Sequence, residues 1–309
     1  MPIPSMIVPA TGHPSAATVL ASWQLDPLLV SGILLSAALY LRAARRVWRT
    51  HSPSAFPRLR VISFMGGLAV MYLALQSPID TYADLLLSDH MAQHLLLTMV
   101  AAPLLVLGAP VTLALAATSA QSRRRFLLPV LHSRIIRVAG SPVFAWMLFA
   151  VVMWGSHFSP VFEAALRNEN IHFLEHLAYL SSALLFWWPV VGLDPNPARI
   201  SHPARLLYLF LAMPMTALLG LAIYSSNRLL YPHYETASRS IGFSPIADQH
   251  LAGALMWEGG MLLMVAALAL VLLDWMRRDE REAERADARL ARASGAQAVG
   301  ERLGEQAST

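Results

Sequence analysis

Four histidines of this sequence form two pairs of identical spacing, His90 with His94 and His172 with His176. Residues four apart share one face of an α-helix, so each pair becomes a clamp with two ring nitrogens. Neutral imidazole suits copper, zinc and iron, and one histidine from each of two helices can hold haem iron. His157 and His250 add single donors. Met153 lies one turn before His157, and its thioether favours copper(I). Asp89, Glu175 and Asp248 stand close enough in sequence to hydrogen-bond ligating rings from outside and orient them. The chain has no cysteine, so a metal here must use His, Met, Asp or Glu, and disulfide, thiolate and iron–sulfur chemistry are excluded. His172-x-x-Glu175-His176 also matches the inverted pattern of zinc metallopeptidases, but no soluble lobe is available to hold a peptide. With no Gly-rich phosphate loop and no serine nucleophile elbow, the chain reads as a non-enzyme.

The elements that must position these residues are membrane helices. Of 309 residues 56% are hydrophobic and 14% charged, too apolar a balance for an ordinary soluble domain. Apolar runs near the spanning length cover 27–47, 61–77, 90–108, 142–157, 171–191, 205–225 and 249–273. The expectation is an all-α polytopic membrane protein with seven transmembrane helices. The run from Val111 to Ala117 follows Pro103, Gly108 and Pro110 and is not counted as an eighth span. All 23 basic residues are arginine; with seven spans, 20 fall on the side that follows the first and third spans, against Arg167, Arg228 and Arg239 opposite. Cytoplasmic loops collect such charge, so the N-terminus is expected outside and the C-terminus in the cytoplasm. The net charge of +4 therefore reflects topology, and no nucleic-acid partner is implied. Residues 1–26 read as a short periplasmic segment without a cleavable leader, 27–275 as the membrane domain and 276–309 as a charged cytoplasmic helix fraying after Gly295.

This topology gathers His90, His94, His157, His172, His176 and His250 at the outer ends of four helices, where ionisable side chains are costly unless paired or liganded. His13 and His233 fall in outer loops, and His51, His132 and His202 on the inner side. Met91, Met99 and Met256 lie at similar depth and read as packing. Glu258 sits two turns deeper than His250 and is the main polar hint of a path through the bilayer.

At these residues the chain resembles the multi-pass CtaG family of bacterial cytochrome c oxidase assembly factors. The resemblance is carried by Ser77-Pro78-Ile79-Asp80, by Ser88-Asp89-His90-Met91-Ala92-Gln93-His94 running to Pro103 through Pro110, by Ile171-His172-Phe173-Leu174-Glu175-His176 leading to Trp187-Trp188-Pro189, and by Asp248-Gln249-His250 with Met256-Trp257. It implies a seven-helix protein of the bacterial inner membrane that works with cytochrome c oxidase subunits or other assembly factors, with copper delivery as the favoured role. Glu258 departs from the family pattern, in which an apolar residue or Pro follows the Trp. The expected site is copper held by His90, His94, His172 and His176, completed by His157, Met153 or His250. A haem-binding electron-transfer protein, a copper transporter and a scaffold without metal are the alternatives.

Overall fold

The computed structural model describes residues 14–50, 55–196 and 198–307, and every regular element among them is helical. His13 and His51 lie outside the described residues. Leaving aside short helical turns at 16–21 and 120–139, the elements are α1 (Pro27–Thr50), α2 (Arg58–Gln76), α3 (Pro78–Ala83), α4 (Leu87–Leu95), α5 (Ala102–Leu107), α6 (Pro110–Ala117), α7 (Pro142–His157), α8 (Pro160–Arg167), α9 (Glu169–Val191), α10 (His202–Tyr224), α11 (His233–Ser240), α12 (Pro245–Ala254) and α13 (Gly260–Ala307).

Ser-Pro pairs punctuate the chain because Pro at the first helical position sacrifices no hydrogen bond and Ser can cap the exposed N–H groups. Ser77, Ser159 and Ser244 each accept a backbone N–H with their hydroxyl and begin α3, α8 and α12. Asn168 does the same for α9, accepting from Asn170 and Ile171.

Two long helical segments widen into a π turn, at Leu96–Ala101 between α4 and α5 and at Leu255–Gly259 between α12 and α13. The first immediately precedes Pro103, whose ring cannot donate to the ladder and crowds the carbonyl four residues back. After α5 the chain breaks at Ala109, a fully buried alanine at φ 47°, and restarts at Pro110. Val111–Ala117 is thus a continuation of the third segment beyond a sharp break.

The expected spans correspond closely to α1, α2, α4 with α5, α7, α9, α10 and α12 with α13. Among the described residues five segments qualify to cross a membrane by length and apolar composition: Pro27–Thr50, Arg58–Gln76, Leu87–Ala117, His202–Tyr224 and Pro245–Asp287. The pair α7 and α8, bent by 70°, makes a sixth if read as one span. Where seven were expected, five to six qualify among the described residues. The helix that falls short is α9, which is as long as α10, at 23 residues, but carries Glu169, His172, Glu175 and His176 in its first turns. The tail is not a separate element, because α13 runs unbroken from Gly260 past Gly295 to Ala307.

The core runs between helices distant in sequence. α9 packs on α7 and α5, α4 packs on α12, and α10 packs on both α12 and α13. Its centre holds Met91, Phe149, Tyr179, Phe186 and Leu219, all under 2% exposed. The α10–α12 crossing is the closest: a Cβ on Gly220 would stand 2.5 Å from the Trp257 nitrogen, and one on Gly253 would strike the Tyr224 backbone. Without a hydrophobic drive between helices in lipid, such backbone approach at small residues is what holds a pair together.

Candidate metal centre

One end of each of α4, α7 and α9 converges on five imidazoles. His90 of α4 stacks on His172 of α9 with ring centroids 5.3 Å apart, and His94 meets His176 edge-on at 5.5 Å. Within each helix the i, i+4 pairs also touch, His90 with His94 at 4.4 Å and His172 with His176 at 4.3 Å. His157, the last residue of α7, closes the group 6.3 Å from His94. Phe162 of α8, only 1% exposed, lies over His90 at 5.0 Å and His157 at 5.6 Å. The bend between α7 and α8 therefore roofs the site.

Hydrogen bonds fix the tautomers of three rings. The Tyr234 hydroxyl donates to the Ala83 carbonyl at 2.8 Å, so toward His90 its oxygen can only accept, from Nδ1–H at 3.2 Å. The lone pair of His90 then sits on Nε2. His157 donates from Nδ1 to the Met153 carbonyl at 2.7 Å, leaving Nε2 bare. Tyr179 and Ser156, hydrogen-bonded to each other, complete the surroundings of that Nδ1. Gln93 donates both amide hydrogens, to the Ala74 carbonyl at 3.0 Å and to Asp80 Oδ1 at 2.6 Å. Its carbonyl oxygen faces His176 Nε2 at 3.1 Å, which must donate, and the lone pair moves to His176 Nδ1. Outer partners that hold a ring and leave its other nitrogen open are the arrangement of metal-ligating histidines.

Four of the ring nitrogens have no protein partner. His90 Nε2, both nitrogens of His94, His172 Nε2 and both oxygens of Glu175 are buried without a hydrogen bond. Each such atom costs about 1–3 kcal/mol when left unsatisfied. Donor atoms of His90, His172 and Glu175 all lie within 4.8 Å of one another, close enough for one cation.

The remaining expected residues fall elsewhere. His250 donates from Nε2 to the Ser226 carbonyl, 3.2 Å away, and packs on Tyr224, apart from the five rings. Asp248 touches no histidine; its carboxylate accepts from the backbone N–H of Leu87 at 2.7 Å and of Ser88 at 3.2 Å, capping α4 from α12. Asp89 turns from the cluster into a small cavity with Pro78, Ile79 and Tyr82. Met153 supplies its carbonyl, whereas the sulfur beside His157 Nε2, at 3.4 Å, is that of Met91. Glu258 is exposed on the π turn before α13.

Gln93, Tyr179 and Tyr234 were not among the expected residues. Gln93 carried a signal, an amide between two histidines in an apolar helix; Tyr234 carried none, since it reaches His90 from 144 positions away. Asp80 lies in the short connecting helix α3, and burial pushes its carboxyl up to about 7, partly offset by the hydrogen bond from Gln93.

A family model described as cytochrome c oxidase caa3 assembly factor matches residues 38–278. Among curated proteins, uncharacterised proteins of Mycobacterium bovis and Mycobacterium tuberculosis are each 32% identical over 285 residues, 89% of this chain. One of Mycobacterium leprae is 29% identical over 281 residues, again 89% of this chain. The chain spans 42% of the length of each of these relatives. No solved structure matches.

Proposed function

The chain belongs to the cytochrome c oxidase caa3 assembly factors, and on that premise we propose that it holds copper in the outer histidine cluster and hands it to the oxidase during assembly. The observation that carries this reading is the set of five packed imidazoles, three of which, those of His90, His94 and His172, bury ring nitrogens without a protein partner. A scaffold that used these rings only for hydrogen bonds would leave fewer of them unsatisfied. Copper binds among His90, His94, His172 and His176 in this reading, a subset of them with His157 making a site of low coordination number.

The protein would sit in the bacterial inner membrane as a multi-pass chain, N-terminus outside and cytoplasmic C-terminus, which puts the cluster on the outer side. Copper would leave by ligand exchange, one imidazole replaced at a time by a donor of the incoming oxidase subunit, with no change of redox state. A cluster shallow in the membrane suits a recipient in the same bilayer.

The test is the His90→Ala/His94→Ala double variant, assayed for bound copper after detergent purification and for oxidase copper and activity in the cell. Both should be lost while the level of the variant protein matches the wild type. Oxidase that remains fully copper-loaded would overturn the proposal, and a Soret band in the purified protein would replace copper with haem.

A further inference from the structure

The cluster holds two chemically different sets of donors. At one end His90, His172 and Glu175 bring donor atoms within 4.8 Å of each other, two nitrogens and a carboxylate. At the other end His157 Nε2 and Met91 Sδ face each other at 3.4 Å. The tautomer of His157 makes that contact informative, because Nδ1 holds the hydrogen for the Met153 carbonyl and Nε2 presents a lone pair. A bare nitrogen and a thioether sulfur are both acceptors, and nothing is donated between them.

We propose that His157 Nε2 and Met91 Sδ form a second metal position, selective for a soft monovalent cation, beside a position for a divalent cation at His90, His172 and Glu175. The inference rests on the reading that the cluster binds metal. It adds that the cluster is divided, and that its soft end is built on a methionine.

Three observations support the division. Metal bonds of about 2.0–2.1 Å to nitrogen and about 2.3 Å to sulfur place two donors of one ion roughly 3–4 Å apart, and the observed 3.4 Å falls there. Charge differs between the ends: imidazole and thioether are both neutral and the thioether is soft, which suits copper(I), while Glu175 adds an oxygen that suits a harder divalent ion. His94 lies between the two, 4.4 Å from the ring of His90 and 6.3 Å from that of His157, with neither nitrogen partnered. It can supply one nitrogen to either end, and its lack of any fixed tautomer is what sharing requires. Met91 is completely buried and is neighboured in the core by Met153 and Phe162, so the soft end is also the drier one.

The experiment titrates the detergent-purified full chain with silver(I), a soft monovalent probe, and separately with zinc(II). Met91→Leu keeps the side-chain volume and removes the sulfur. It should weaken silver binding at least tenfold and leave zinc binding unchanged; Glu175→Gln should do the reverse. Silver-loaded protein should still take up zinc. If Met91→Leu leaves silver affinity intact, or if silver and zinc displace each other one for one, the division falls while copper carriage by the histidines stands. If the wild type binds neither ion, both readings fall. Should Met91→Leu not fold, X-ray absorption of the wild type loaded with copper(I) decides: a sulfur neighbour near 2.3 Å supports the division, and nitrogen neighbours alone overturn it.

Discussion

The segment from Leu87 to Thr112 is pinned at both ends by a buried aspartate from elsewhere in the chain, and the two ends differ in what surrounds the cap. At the histidine end Asp248 accepts from the Leu87 and Ser88 amides and, at 2.5 Å, from the Ser88 hydroxyl. At the opposite end Asp194, from the turn after α9, accepts from the Thr112 amide at 2.7 Å and the Val111 amide at 3.2 Å. Around Asp194, Thr112 donates to the Leu193 carbonyl and Tyr40 to that of Gly108, and the unpartnered groups there are N–H donors, the Asn196 amide and the Trp188 indole. One turn beyond the Asp248 cap, by contrast, begins a run of unpartnered histidine nitrogens packed against one another. The same capping device serves a helix junction at one end and a cluster of lone-pair donors at the other.

That contrast can be broken by substitutions that act on one end only. The largest effect should come from His94→Leu, which removes two unpartnered buried nitrogens, each costing about 1–3 kcal/mol. Metal affinity should fall by more than the 10–100-fold typical of lost outer partners, while the melting temperature of the metal-free protein rises. A fall in metal-free stability would mean the ring is held by the protein after all. Next come the two caps. Asp248→Ala and Asp194→Ala should each cost about 2–3 kcal/mol in denaturant unfolding, since each strands two buried amide hydrogens. Only Asp248→Ala should weaken metal binding, because only it frees the turn that carries His90; equal losses from both would erase the distinction.

The smallest effect should come from Asp80, whose carboxyl is pushed up to about 7 by burial. A carboxyl with a raised folded value binds its proton more tightly folded than unfolded, so the folded protein is favoured below the unfolded value near 4 and that contribution is lost as pH rises through 7. Asp80→Asn cannot titrate. Its unfolding free energy relative to wild type should therefore be flat below about pH 4 and climb between about pH 4 and 7. A parallel pair of curves would show that Asp80 titrates alike in both states.

Much of the fold was legible in the residues. Ser-Pro pairs start α3, α8 and α12 where their capping chemistry requires, and the apolar runs locate the long helices to within a few residues. The span count was less legible, because α9 spends its first turns on His172, Glu175 and His176 and so loses the apolar signature of a crossing helix. Of the site, the two histidine pairs were visible because i, i+4 spacing is a property of one helix. Whether His157 or His250 joined them was not, since both sit at helix ends of similar apparent depth. Packing brings His157 to 6.3 Å from His94 and turns His250 toward Ser226. Met91 read as packing, and nothing local distinguishes a core thioether from one set against a bare imidazole nitrogen.

The sequence by itself determined that the chain is helical and rich in membrane-length apolar segments, that any metal must be held without cysteine, and that two helices each present a pair of imidazoles. Those properties depend on composition and on spacing within one helix. Only the tertiary structure decided which pairs meet, which nitrogen of each ring stays open and which methionine offers its sulfur. The deciding groups, Tyr234 for His90, Gln93 with Asp80 for His176 and Met91 for His157, act across 144, 83 and 66 positions. No local pattern encodes them, because they are set by how the helices pack.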